Sequence, residues 1–123
     1  PITVVHVHGT SGFEEADVRC RAAQIERALG LAGARTILLG DFNTDPARLR
    51  GGDASADALA AGAARAQLGF HTDVGADAPP TYAGLVSIDH VLSDFAAGDC
   101  VSRSVTEMVY FDHRPQVCGL ASR

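Results

Sequence analysis

Four hydrophobic, β-branched runs of this chain end in or carry aspartate, asparagine or histidine. In chain order they are ITVVHVH, TILLGDFN, VSIDHVL and VYFDHRPQV, and all but the third have Gly or Pro beside the polar residues. A charged side chain in a buried strand must be paired or bound to metal, because burying it alone is costly. The ends of separate strands can meet at one rim of a fold, where catalytic groups usually lie. We therefore expect a single polar site built from these four runs.

Length and composition fit one globular domain. The chain has 123 residues, of which 46% are hydrophobic and 20% are charged, and this is enough for one core. It has no signal-peptide pattern and no apolar run near the roughly 18 residues that span a bilayer, so we expect no stable membrane insertion. The net charge is −5 and all 10 basic residues are Arg. Non-specific duplex binding is not expected, because it needs a basic surface.

The hydrophobic pattern predicts an α/β order of elements: strand, helix, strand, then a second helix and a β-rich end. The first strand is mostly apolar and is expected to be covered on both faces. A capping box at Ser11 and Glu14 should start the first helix, which ends near Gly30. The predicted strands cover residues 2–8, 36–39, 86–92, 101–110 and 115–120, with a turn at 95–99, and the second helix covers 54–68.

The segment Gly40, Asp41, Phe42, Asn43 follows a buried strand. Two residues apart, Asp41 and Asn43 can point to the same side, where a carboxylate and an amide suit a hydrated metal ion or a phosphoryl oxygen. The carboxylate can take a proton from water while the amide donates to developing negative charge. The alternative is an Asx-turn, with both side chains capping backbone groups and Asp45 starting the next helix.

His113 lies between Asp112 and Arg114, after the apolar residues 109–111 that open the fourth run. Adjacent residues of an extended chain point in opposite directions, so Asp112 and His113 should not pair with each other. A carboxylate is needed to fix the tautomer of His113 and favour its imidazolium form, and Asp89 is the candidate. The alternatives are a surface histidine at His113 and a structural salt bridge from Asp89 to Arg114 or Arg103.

His6 and His8 lie on one face of the first predicted strand. Such an H-x-H pair can hold zinc, as in amidohydrolase-type barrels, but those sites need further ligands that the pattern does not supply. His8, at the strand's end, is the functional candidate, and His6 is expected to be a packed core residue.

Cys100 and Cys118 lie in strand-like runs near the end of the chain. A disulfide between them is sterically possible if those strands are neighbours, and it would favour a secreted or periplasmic location over the cytoplasm. Cys20, in the first helix, is expected to be a small core residue or the partner of a cysteine elsewhere. Zinc binding by the cysteines is not expected, because no C-x-x-C pair exists.

Together these segments resemble the endonuclease/exonuclease/phosphatase superfamily, metal-dependent phosphodiesterases typified by pancreatic-type deoxyribonuclease and neutral sphingomyelinase. The resemblance runs in family order over nearly the whole chain. The matching elements are a strand ending in His8, a helix with Arg21 and Gln24, the GDFN segment at 40–43, Thr81 and Tyr82, the IDHV segment at 88–91 and the DHRP segment at 112–115.

This resemblance implies catalytic roles for five residues. Asp41 would orient or deprotonate the attacking water, and Asn43 would hold the phosphate in the transition state. His113 would contact the scissile phosphate, with Asp89 polarising it, and His8 would lie near the leaving-group oxygen.

The resemblance also implies a metal site at Asp41, Asn43 and Asp112. Hard oxygen ligands favour Mg²⁺ or Mn²⁺ over zinc, and displacement at phosphorus depends on charge neutralisation. The implied substrate is a phosphoester: a nucleic acid, a phospholipid headgroup or a small phosphate ester.

Family members are about twice as long and form a four-layer α/β/β/α sandwich. By resemblance the chain is one incomplete domain at 1–123, the C-terminal half, with mainly one mixed sheet and helices on one face. It starts inside a strand pattern at Pro1. We expect the principal metal ligand to lie in an absent N-terminal half that would also be a partner, and the isolated chain to be inactive. A non-catalytic remnant or binding fragment is the rival interpretation.

Overall fold

The computed structural model describes residues 1–103 and 112–123. It is an α+β fold with two helices, a four-stranded mixed sheet and a two-stranded sheet, which confirms the predicted α/β class. The strands are β1 (Thr3–His8), β2 (Thr36–Asp41), β3 (Gly69–Phe70), β4 (Asp89–Ser93), β5 (Ala96–Ser102) and β6 (Gln116–Ser122), and the helices are α1 (Glu15–Gly30) and α2 (Ala54–Arg65).

The larger sheet has the strand order β1-β2-β4-β3. β1 runs parallel to β2, while β4 is antiparallel to both β2 and β3. The chain passes from β1 through α1 to β2, because a parallel pair of strands needs a crossover connection. β5 and β6 form the second sheet, a separate antiparallel pair.

Both helices pack on one face of the larger sheet, where the hydrophobic core lies. Ile25 of α1, Leu59 of α2 and Leu38 of β2 are fully buried in that core. The opposite face is more open, since Val4 of β1 is 60% exposed. The expectation that the first strand is covered on both faces was therefore wrong: β1 alternates between a core side and an open side, as a strand buried on one face does.

The helix boundaries differ from the prediction at both helices. The residue before α1 is Glu14, and its side chain makes no capping hydrogen bond, so the capping box was wrong. Gly12, between the two predicted capping residues, has φ 105, a left-handed conformation that favours glycine. In α2, Asp53 caps the amides of Ser55 and Ala56. The helix stops before the predicted residue 68, because Gln67 is left-handed with φ 56.

The strand prediction failed in three places. The predicted turn at 95–99 is instead the start of β5, paired with β6. Residues 86–88 do not belong to β4, and the short β3 was not predicted. Residues 104–110 of the fourth predicted strand lie outside the described residues.

Cys100 and Cys118 form a disulfide directly across β5 and β6, as the sequence suggested. Cys20 is a free cysteine exposed on α1. Of the two expectations for it, the core position was wrong, and pairing with a cysteine elsewhere stays a prediction. Neither helix of the described ranges is long and apolar enough to cross a membrane.

Candidate metal and acid–base site

Three predicted site residues form one row across the open face of the larger sheet. His8 of β1 is opposite Asp41 of β2, and Asp41 is opposite Asp89 of β4. Side chains alternate along each strand, so residues in register point to the same face. His90, next to Asp89, points to the core and is 1% exposed. The strand pairing therefore gathers three of the five predicted catalytic residues.

His113 reaches the same row from the segment before β6. Its Nδ1 donates to the carboxylate of Asp89 at 2.9 Å, which confirms the predicted pairing. Its Nε2 lies 3.7 Å from Asp41 Oδ2, and the Nε2 of His8 lies 3.8 Å from the same oxygen. Asp89 therefore pairs with a histidine and not with Arg114 or Arg103, the alternatives that the sequence left open.

Asp41, Asp89 and His113 form a group that could hold a metal ion. One ligand atom from each lies within 4.8 Å of the other two. Two carboxylates and an imidazole are a donor set suited to divalent ions of several kinds, so the set does not identify the metal. Among the residues the structure describes, no other group of three or more such side chains is present, so none includes His6 and His8.

Asp41 and Asn43 form the Asx-turn that was the alternative interpretation. The amide of Asn43 donates to Asp41 Oδ1 at 2.7 Å, and Asn43 itself is left-handed with φ 50. The side-chain amide of Asn43 donates to the carbonyl of Gly9 at 2.9 Å and to Asp41 Oδ2 at 3.2 Å. The turn fixes the Asp41 carboxylate with Oδ2 toward both histidines, so it serves the site as well as the backbone. Asp45 begins no helix; it accepts hydrogen bonds from the amides of Ala47 and Arg48.

The protonation equilibria of the site are shifted by burial and by its own charges. Burial raises the pKa of Asp41, and the charge of Asp89 adds to this against the lowering effect of the Asn43 amide. Burial lowers the pKa of His113, but the hydrogen bond and charge of Asp89, with the charges of Asp41 and Asp112, raise it by more. Asp41 is thus a stronger base than an exposed aspartate, and His113 holds its proton more firmly than an ordinary histidine.

A cavity of about 610 Å³ opens beside the row. Its lining includes the three members of the metal-binding group, with Leu39, Val91 and His6 from the next row of the sheet. His6 is exposed, so its predicted place in the core was wrong. A volume of this size suits a small molecule or one residue of a polymer.

Asp112 is outside the group formed by Asp41, Asp89 and His113. Asp112 is exposed and acts on the site through its charge, which raises the pKa of His113. Its metal role and that of Asn43 stay predictions.

Sequence reasoning assigned no role to Arg21 and Gln24, which fix the loop after His8. Arg21 is 1% exposed and donates to the carbonyls of Thr10 and Gly12 at 2.8 and 3.0 Å. The amide of Thr10 donates to Gln24 Oε1 at 2.8 Å. The R-x-x-Q spacing was the available signal, because it places both side chains on the same side of a helix.

Comparisons of the chain with protein-family models, with curated proteins and with solved structures found no match.

Proposed function

We propose that this chain carries the site of a metal-dependent hydrolase of phosphoester or phosphodiester bonds, of the nuclease or phosphatase type. The observation that supports the proposal is the group of Asp41, Asp89 and His113, which three separate segments bring within 4.8 Å. Two carboxylates side by side repel each other, which destabilises the fold. The group lies on an open sheet face, where it makes no contribution to stability of comparable size, so a functional role is the better explanation.

Mg²⁺ or Mn²⁺ is the proposed cofactor, with Asp41 and Asp89 as its carboxylate ligands. When bound, such an ion would neutralise charge on the phosphoryl group and acidify a coordinated water. The donor chemistry fits this group, because carboxylate oxygens are the preferred ligands of both ions.

His113 is the proposed contact to the scissile phosphoryl group. Because Nδ1 donates to Asp89, Nε2 is the ring nitrogen left to face a substrate. The raised pKa of His113 keeps the ring protonated toward neutral pH, and an imidazolium can donate to an anionic phosphoryl oxygen.

Asp41 is the proposed base that orients or deprotonates the attacking water. Its raised pKa brings the carboxyl nearer to the range in which a base works well. The Asx-turn holds one oxygen, so the other keeps a fixed direction. His8, whose side chain is 74% exposed beside Asp41, is proposed to protonate a leaving group. By the resemblance, Asn43 is proposed to hold the phosphate and Asp112 to contribute to the metal site.

The test is hydrolysis of bis(4-nitrophenyl) phosphate and 4-nitrophenyl phosphate with Mg²⁺ or Mn²⁺, using the protein expressed from its complete reading frame. Metal-dependent turnover is expected, and His113→Gln should lower kcat about 100-fold or more, as loss of a donor that stabilises charge in the transition state does. His6→Gln is the matched control, because it changes a histidine of the same cavity outside the metal-binding group. Equal activity of the two variants, or wild-type protein that hydrolyses neither ester with either metal, would refute the proposal.

A further inference from the structure

We infer that Thr81 is a positioning residue that holds Asp89 and His113 together, an inference that rests on the proposed function. Thr81 precedes β4 and is 2% exposed. Its own amide donates to the carbonyl of Val86 at 3.0 Å, which closes the short turn that follows it. The residue is therefore fixed in the interior and has both of its oxygen atoms available as acceptors.

The hydroxyl of Thr81 binds the backbone that carries Asp89. Its Oγ1 accepts from the amide of Ile88 at 3.0 Å and from the amide of Asp89 at 3.2 Å. These amides lie where β4 begins, at the point where the chain enters the sheet. A side-chain acceptor at such a point replaces the partner that irregular backbone would otherwise lack.

The main chain of Thr81 binds the backbone that carries His113. The amide of Arg114 donates to the Thr81 carbonyl at 2.7 Å, and the amide of Ala83 donates to the Asp112 carbonyl at 3.0 Å. The ring of Tyr82 lies 4.9 Å from the ring of His113. Both neighbours of His113 are thus bonded to the segment that begins at Thr81.

One buried residue therefore connects two site segments that are 24 residues apart in sequence. The 2.9 Å bond from His113 to Asp89 depends on the separation of those two backbones, and Thr81 accepts hydrogen bonds from both. The inference is that Thr81 acts on metal and substrate through Asp89 and His113 and touches neither directly.

Three variants separate this role from a general contribution to folding. Thr81→Val keeps the shape and removes the acceptor, whereas Thr81→Ser keeps the acceptor and removes a methyl group. Thr44→Val is the matched control, because Thr44 is fully buried and its hydroxyl has no hydrogen-bond partner within the described part of the chain. The readout is Mn²⁺ affinity, measured by electron paramagnetic resonance well below the unfolding temperature of each variant.

We expect Thr81→Val to weaken Mn²⁺ binding about 10- to 100-fold, the usual effect of losing a residue that orients a metal ligand. Thr81→Ser and Thr44→Val should stay within about threefold of wild type. Should Thr81→Val not fold, Thr81→Ala compared with Thr81→Ser makes the same test, since that pair differs by the hydroxyl alone.

Wild-type affinity in Thr81→Val, or equal losses in Thr81→Val and Thr81→Ser, would overturn the inference. Failure of both the valine and the alanine variant to fold would also overturn it, because Thr81 would then be required for folding itself. Absence of Mn²⁺ binding by the wild-type protein is a different result: it would refute the proposed metal site.

Discussion

Replacing Asp89 by asparagine should separate the stability of the fold from the binding of metal. Asp89 shares the sheet face with Asp41, and oxygens of the two carboxylates lie within 4.8 Å in the metal-binding group. Their side chains are only 20% and 18% exposed, so solvent screens the repulsion only in part. Without metal, the pair must be held together by the rest of the structure.

The magnitude follows from the charges that Asp89→Asn removes. Two like charges at the 4.8 Å limit of that group repel by about 3.5 kcal/mol at an effective dielectric constant of about 20, and by about 1 kcal/mol in bulk water. The variant weakens a charge-assisted bond to His113 into a neutral one, which costs about 1–1.5 kcal/mol. We therefore expect the metal-free variant to be as stable as wild type or more stable, by up to about 2 kcal/mol.

Metal binding should change in the opposite direction. Loss of one of the two proposed carboxylate ligands should weaken Mn²⁺ affinity by about 100-fold or more, since even a residue behind a ligand is worth 10- to 100-fold. At a Mn²⁺ concentration about 100 times the wild-type dissociation constant, the ion stabilises wild type by about 2.7 kcal/mol and the variant by about 0.4 kcal/mol. At about 4 °C per kcal/mol for a domain of this size, the increases in Tm are about 10 °C and about 2 °C.

Calorimetry of wild type and Asp89→Asn, with EDTA and with Mn²⁺, measures both effects. Asp99→Asn is the control, because it removes a carboxylate that is exposed on β5. A metal-free Asp89→Asn protein that is less stable than wild type by more than 2 kcal/mol would show that Asp89 serves the fold. A Mn²⁺-induced increase in Tm equal to that of wild type would remove Asp89 from the metal site.

Two further predictions concern the stability of the metal-free protein. The pKa of His113 is raised above 6.5, so its proton stabilises the fold fully below pH 6.5, and this stabilisation is lost as the pH rises through the folded-state value. Urea unfolding in EDTA should show this loss of stability in wild type and not in His113→Gln. Burial lowers the pKa of His90, and this histidine contributes equally to the stability of both proteins. Parallel pH profiles of the two proteins would refute the reasoning. Reduction of the Cys100–Cys118 disulfide, which closes a loop with a sequence separation of 18, should lower the free energy of unfolding by about 3 kcal/mol; an unchanged urea midpoint in dithiothreitol would contradict this.

The part of the site that lies on strands could be predicted from the sequence. His8, Asp41 and Asp89 each sit in an apolar, β-branched run, and the period of two in a strand fixes their common face once the runs pair. Asp89 was the candidate partner of His113 because an imidazolium needs a carboxylate to orient it and a charge in an apolar strand needs a partner. The sequence left a salt bridge to Arg114 or Arg103 as the alternative.

The part that depends on long-range backbone hydrogen bonds could not be predicted. β5 begins with Ala96, Ala97 and Gly98, which have little intrinsic preference for a strand. These residues are part of a strand because they pair with β6. Thr81 accepts a hydrogen bond from the amide of Arg114, which is 33 positions further along the chain. No local sequence pattern indicates a partner at that distance. The capping box at Ser11 failed because its spacing is a local signal and the loop after β1 is held by Arg21 instead.

The pairing of Asp41 with Asp89 across two strands restricts where the length of this protein can change. Deleting one residue inside β4 would turn Asp89 inward and bring His90 to the open side, because a shift of one position exchanges the two faces of a strand. An insertion at the exposed residues 50–52, between β2 and α2, leaves that pairing intact and costs little, since the entropy of closing a loop grows slowly with its length. Length variation among descendants of this chain should therefore concentrate in its connections, with the strand lengths unchanged.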